Sequence, residues 1–245
     1  MPRRFLNLAK EPREAEPGIR SETSDDVHTI YVYDVIDDWF GISATAFRRE
    51  LQAAGDKSVV LRINSPGGDV FEARAMMAAI AEHDGDVVAK IDGLCASAAT
   101  ALTLACSRVE IIDGGFYMIH QAWTIAFGNA EDMRKTAGLL DKVDTSLVNG
   151  YVAKSGMSEE EIRAAMAEET WYDADEAIEA GFCEAKIEIP VGSKDKDTKA
   201  QARRFDLSAF ANAPQALTEP PEEPEPDFDG SHSRMLARLR LYEHT

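Results

Sequence analysis

Cysteine is scarce in this chain: the three present, Cys95, Cys106 and Cys183, cannot all pair, and none lies in a C-x-x-C arrangement. Zinc and dithiol redox chemistry therefore have no motif here, and the thiols read as reduced, mostly buried small hydrophobes. Long apolar runs are missing as well. None approaches the ~20 residues of a membrane span, and Met1-Pro2-Arg3-Arg4 leads into Lys, Glu and Arg rather than a signal-peptide core. A cytoplasmic location is the expectation. Basic charge is in deficit, with 26 Lys and Arg against 44 Asp and Glu, a net charge of -18. Nucleic acid and anionic membrane would both be repelled at long range, which leaves protein or peptide partners. There is no internal repeat.

What is present is enough for one substantial core: 245 residues, 44% of them hydrophobic. Residues 1–26 are rich in Arg, Glu, Pro and Ser without a sustained period and read as a flexible leader. From His28 a strand pattern begins (His28 to Tyr33), followed by helical spacing from Ser43 to Ala54. The alternation continues with a strand at Val59 to Asn64, a helix at Val70 to His83 and a strand at Asp86 to Ile91. An Ala-rich helix from about Ala96 to Cys106 and short strands near Val109 to Ile111 and Phe116 to Ile119 follow. Strands separated by helices of this length predict βαβ crossovers and a largely parallel sheet, so the fold class is α/β. The long stretch Asn129 to Lys154 is apolar on two sides, which fits either a subunit interface or a helix covered by its own sheet. Ser158 with Glu161 has the pattern of a capping box, Asp173 caps a short helix that Gly181 ends, and a last strand falls near Cys183 to Ile189. Residues 27–189 thus form the domain. Residues 190–245 read as a disordered acidic, Pro-rich linker and a short basic amphipathic segment, Ser233 to Tyr242.

Three places carry chemistry. In Ile63-Asn64-Ser65-Pro66-Gly67-Gly68-Asp69, a Pro-Gly-Gly turn joins a strand to a helix, and paired glycines let a backbone N–H point into a cleft toward an oxyanion. An ordinary βα loop would look the same. In Asp92 to Ala101, Ser97 falls at or near a helix N-terminus, where its hydroxyl is exposed and the next N–H and the helix dipole favour negative charge. A plain N-cap serine is the alternative, and Cys95, two residues away, is a weaker candidate nucleophile. In Tyr117-Met118-Ile119-His120-Gln121, an apolar strand ends in a histidine suited to take a proton from a serine, although a lone histidine also serves structure.

In combination the motifs are specific. Ile-Asn-Ser-Pro-Gly-Gly at 63–68, Gly-x-x-Ala-Ser-Ala at 93–98, Met-Ile-His-Gln at 118–121 and Ala-Asp-Glu-Ala-x-x-x-Gly-Phe at 174–182 resemble the Clp proteolytic-subunit family (ClpP-like serine peptidases), over about residues 28–188. The resemblance implies a crotonase-like α/β fold of repeated βαβ units with an extended handle helix, and homo-oligomeric, seven-membered rings stacked around a chamber. By position, Ser97 is the nucleophile, His120 the general base, and Gly68 and Ala98 the oxyanion donors. Asn64, Ser65, Pro66 and Gly67 shape that hole, and the segment from Gln121 to Gly128 with the long helix is the handle. Glu169 holds the place of the triad acid where the family commonly has Asp, with Asp173 as the second candidate. No metal or organic cofactor is implied.

The charged leader, the Ala122-Trp123 pair where the family usually has Pro, and the long tail are more like the Clp-related head-maturation proteases of tailed phages. The expectation is accordingly a serine endopeptidase that trims capsid or scaffold protein, inside a prohead. The alternatives are the proteolytic subunit of an ATP-dependent Clp complex with a Clp ATPase partner, a crotonase-type acyl-CoA enzyme, and a ring that has lost catalysis and serves as scaffold.

Overall fold

In a computed structural model, residues 19–24, 26–188 and 205–218 are described. Eight strands form one sheet in the order β1-β2-β3-β4-β5-β8, with β6 paired to β4 and β7 to β6. The strands are β1 Arg20–Thr23, β2 Val27–Val32, β3 Ser58–Ser65, β4 Val87–Ala96, β5 Arg108–Ile112, β6 Phe116–Ile119, β7 Thr170–Tyr172 and β8 Ala185–Ile187. All pairings among β2, β3, β4, β5, β6 and β8 are parallel, and only β1 and β7 run antiparallel to their neighbours. The helices are α1 Ala44–Ala53, α2 Val70–Ala81, α3 Ala99–Thr103, α4 Ala130–Ser155, α5 Glu159–Ala167, α6 Ala174–Glu179 and the short α7 Gln215–Thr218, with a 3-10 turn at Leu207–Ala209. The α/β class read from the alternation of patterns is the observed one.

Local chemistry sets the boundaries. Ser43 caps α1 through Ala46 N–H, and Asp69 caps α2 through the N–H groups of Phe71 and Glu72. Capping boxes open α4 (Asn129 with Asp132), α5 (Ser158 with Glu161) and α6 (Asp173 with Glu176). Gly156, at φ 76°, ends α4 in the left-handed conformation that glycine adopts at least cost. No helix among the described residues is long and apolar enough to cross a membrane.

Period-2 alternation divides the strands that lead to the site between two apolar clusters. Cys95 on β4 and Tyr117 and Ile119 on β6 join the main core under the helices. Leu94 and Ala96 on β4 and Met118 on β6 face the other way and form a smaller cluster with Val35, Phe205, Leu207, Phe210 and Leu217.

Three sequence expectations need correction here. First, the end of the leader is not free: Arg20–Thr23 pairs with β2, its Arg20 guanidinium 3.8 Å from the Tyr31 ring centroid and Ser21 Oγ donating to Glu50 at 2.7 Å. Such a strand is held by backbone pairing and polar contacts, so it shows no hydrophobic period. Second, β4 does not stop at Ile91 but runs through Gly93 to Ala96, and α3 is only Ala99–Thr103. Third, part of the region after Ile189 is folded onto the domain. Residues 205–218 pack on the domain through Phe205, Leu207, Phe210 and Leu217, all buried. Residues 1–18, the Pro-rich linker from Glu219 onward and the basic segment Ser233 to Tyr242 lie outside the described residues.

Candidate active site

The site forms where β4 changes partners. Residues Val88–Ile91 pair with β5, whereas Leu94–Ala96 pair with β6. The register of β3 against β4 shifts at the same place, between Ile63 and Ser65. An irregularity of this kind bends a strand and re-aims the residues beyond it. Here it delivers Ser97 beside the end of β6.

A half-buried ion pair fixes the strand ends just before this break. Asp92, 5% exposed, accepts from Arg62 Nε at 2.7 Å and Arg62 Nη2 at 2.5 Å, and from Tyr33 Oη at 2.6 Å. The three side chains tie together the segments of β2, β3 and β4. The sequence gives no sign of them, because an Arg on one strand and an Asp two elements later carry no local signature.

Ser97 has φ 54°, and Glu169 has φ 52°; they are the two non-glycine residues with positive φ among those described. A residue keeps this costly conformation only when its surroundings over-determine it. At Ser97 they do so from both sides. Its N–H donates to Met118 O at 2.9 Å, and its carbonyl accepts from Thr100 N at 3.0 Å and Thr100 Oγ1 at 2.6 Å. Thr100 Oγ1 is in turn within 2.5 Å of Tyr151 Oη on α4. The serine is thereby lifted out of the strand with its side chain toward His120.

His120 follows β6 directly, and its Nε2 lies 2.7 Å from Ser97 Oγ. The chain beyond it is anchored by Gln121 N–H donating to Met166 O at 3.1 Å and Ala122 N–H donating to Asp144 Oδ1 at 2.7 Å. Burial pushes the imidazole below its ordinary pKa, and the Glu169 carboxylate raises it back only in part. The ring is therefore neutral, and able to accept a proton, further into the acid range than a free histidine. Cys95 is fully buried in the main core, and burial pushes its thiol far up, so it offers no nucleophile.

The glycine loop packs against the serine turn. A Cβ on Gly67 would come within 2.6 Å of Ala96 O and 2.7 Å of Ala98 N, and one on Gly68, at φ 146°, within 2.1 Å of Ile36 O. Only glycine lets the two backbones approach this closely. Asp69 N–H and Gly67 O pair with Ile36, whereas neither Gly68 N–H nor Ala98 N–H donates to a backbone carbonyl among the described residues. The rest of the loop is structural support: Asn64 Oδ1 accepts from Leu94 N at 3.1 Å, Ser65 Oγ donates to Asp34 O at 2.7 Å and accepts from Gly67 N at 3.2 Å, and Pro66 is buried.

Glu169 is near enough to act on His120 electrostatically, yet no hydrogen bond joins them among the described residues. Its carboxylate instead accepts from Ala211 N (Oε2, 2.9 Å), Asn212 N (Oε1, 2.7 Å) and Trp171 Nε1 (Oε1, 3.3 Å). Asp173 is committed to capping α6. The sequence thus indicated Ser97, His120 and the glycine loop, and the structure brings these together. It missed the contribution of Phe210, Ala211 and Asn212, whose apolar residue and bare amides look like ordinary tail.

A serine hydroxyl on a neutral imidazole at the end of a parallel strand, facing a glycine loop, defines an α/β serine hydrolase type of site. The chain belongs to the Clp protease family, whose sequence model matches residues 28–189; members of this family are serine peptidases. It is 29% identical over 195 residues to the ATP-dependent Clp protease proteolytic subunit 1 of Protochlamydia amoebophila, covering 76% of this chain and 93% of that protein. To the corresponding subunit 1 of Chlamydia muridarum it is 33% identical over 138 residues, 54% of this chain and 71% of that one. The fold matches that of a mutant ClpP1 from Listeria monocytogenes with a TM-score of 0.60 at 21% identity, over 66% of this chain and 92% of the other.

Proposed function

We infer that this protein is a Clp-type serine endopeptidase in which Ser97 is the nucleophile and His120 the general base. The 2.7 Å contact between Ser97 Oγ and His120 Nε2, at a serine held in positive φ, carries this reading. Ser97 Oγ attacks the scissile carbonyl carbon as its proton passes to His120 Nε2. The resulting oxyanion lies between the N–H groups of Gly68 and Ala98, and the imidazolium then gives its proton to the leaving amine. Water takes the same route in reverse to free the acyl group. Glu169, at the family position of the acid, is the residue assigned to orient His120 Nδ1–H once its carboxylate is free to do so.

Of the two biological settings, membership of an ATP-dependent complex is better supported than phage head maturation, because the relatives above are proteolytic subunits of ATP-dependent Clp proteases. The family match also sets aside an acyl-CoA enzyme on the same fold. In this setting copies of the chain assemble into rings in the bacterial cytoplasm, and a Clp ATPase feeds them unfolded protein. Surface chemistry favours assembly: Trp123, Ile125 and Phe127 in the handle and Met133 and Leu139 in α4 are exposed apolar side chains close together in sequence. Incubating the protein with an unfolded substrate, with and without a Clp ATPase and ATP, tests the setting. ATP-dependent degradation is expected; cleavage of co-expressed capsid or scaffold protein without any ATPase would restore the head-maturation reading.

A further inference from the structure

The segment 205–218 takes no part in the chemistry above, yet it is packed against both His120 and Glu169. Phe210 lies edge-on to the His120 ring with centroids 5.6 Å apart and an interplanar angle of 66°, and edge-on to Trp171 at 5.5 Å. The next two residues donate their amides to the two Glu169 oxygens, at 2.9 Å and 2.7 Å, while Asn212 Nδ2 donates to Glu168 O at 2.6 Å. Phe205, Leu207 and Leu217 anchor the segment on Leu94, Ala96 and Met118, residues of the two strands that end in Ser97 and His120.

We propose that residues 205–218 are an intrinsic latch that holds the Glu169 carboxylate on its own backbone amides and away from His120, so that the triad is complete only when the latch lifts. This rests on the Ser97–His120–Glu169 reading. Both carboxylate oxygens point at tail N–H donors, and a carboxylate so engaged has lost much of its capacity to accept from an imidazole N–H. Phe210 meanwhile covers the histidine. Lifting the segment would uncover the ring and free Glu169 to accept from Nδ1–H, and Glu169 is the charged group that acts on His120 in this structure. Loss of cover and gain of the carboxylate both raise the affinity of His120 for a proton.

Two full-length variants test this: Asn212→Pro, which removes one donor to Glu169, and Phe210→Ala, which removes the segment's ring contacts with His120 and Trp171 beside the two amides and so loosens the latch. Each should raise kcat/KM on a short fluorogenic peptide by about 10-fold or more and move the acid limb of the pH profile upward. Adding Glu169→Gln to Asn212→Pro should cancel both changes. A segment that merely stabilises the domain would lower the melting temperature on mutation without moving the pH profile. Unchanged rates in both variants, or a gain that survives Glu169→Gln, would overturn the latch while leaving the peptidase reading intact. If no form cleaves peptide or reacts at Ser97 with a fluorophosphonate, the peptidase reading fails and the latch with it.

Discussion

Ser97 and Glu169 pay for their positions in backbone strain, and at Ser97 the surroundings show what holds it there. Ser97 is fixed by Met118 and Thr100, so its hydroxyl is aimed before any substrate arrives. Ser97→Ala should reduce peptide hydrolysis by roughly 10⁴-fold or more, with an unchanged melting curve. His120→Gln should do nearly the same, because the two act as a unit. Since burial lowers the His120 pKa, the acid limb of kcat/KM for the wild-type protein should lie below the ordinary histidine value of about 6.5. The sign comes from the base having to be neutral: a lower pKa keeps the neutral form, and therefore activity, to lower pH. A limb above 6.5 would mean that burial is not the dominant influence on the ring. Elsewhere, Arg62→Ala would strand Asp92 without its counter-charge. The Arg62 head keeps partial contact with water, so the expected loss is about 2 kcal/mol, less than the ~3–5 of a fully buried pair. Chemical denaturation reads it directly.

At the scale of elements, the glycine loop is the place where sequence and geometry agree most closely. Gly67 and Gly68 are side by side in the chain, and each has a separate reason to lack a Cβ: one meets the Ala96–Ala98 turn, the other Ile36. Gly68→Ala should lower kcat/KM by about 10²-fold or more, and lower the melting temperature as well. Loss of stability with full activity would remove Gly68 from the oxyanion site. The strand and helix pattern was legible because α1, α2, α4, α5 and α6 begin at side chains that cap them, and caps are local. The continuation of β4 through Gly93 was not legible. A glycine followed by Leu-Cys-Ala reads as a turn into a helix, and only pairing with Ser65 and β6 keeps it extended. Likewise β1 has no periodicity to find, since its partners are backbone groups and an aromatic face on β2.

For the whole molecule, the sequence divided the chain into leader, domain and tail by composition, and composition is blind to a short segment that docks by a few side chains. Phe205, Leu207 and Phe210 stand in a polar context that weakens any periodic signal, but together with Leu217 they close an apolar face the strands would otherwise expose. Glu169 stood out as the candidate acid from its place in the family pattern. That its carboxylate is turned to Ala211 and Asn212 was not, because the contact joins residues far apart in the chain. The exposed apolar handle leads to a further expectation for the assembled protein. Light scattering should find multiples of the 245-residue subunit, and Phe127→Asp with Ile125→Asp should shift the population toward smaller species. The central claim, that Ser97 is a nucleophile activated by His120, is tested most directly by treating the full-length protein with a fluorophosphonate and locating the adduct by mass spectrometry. One adduct on Ser97, much diminished in His120→Gln, is the predicted result; an unmodified Ser97, or modification indifferent to His120, would contradict it.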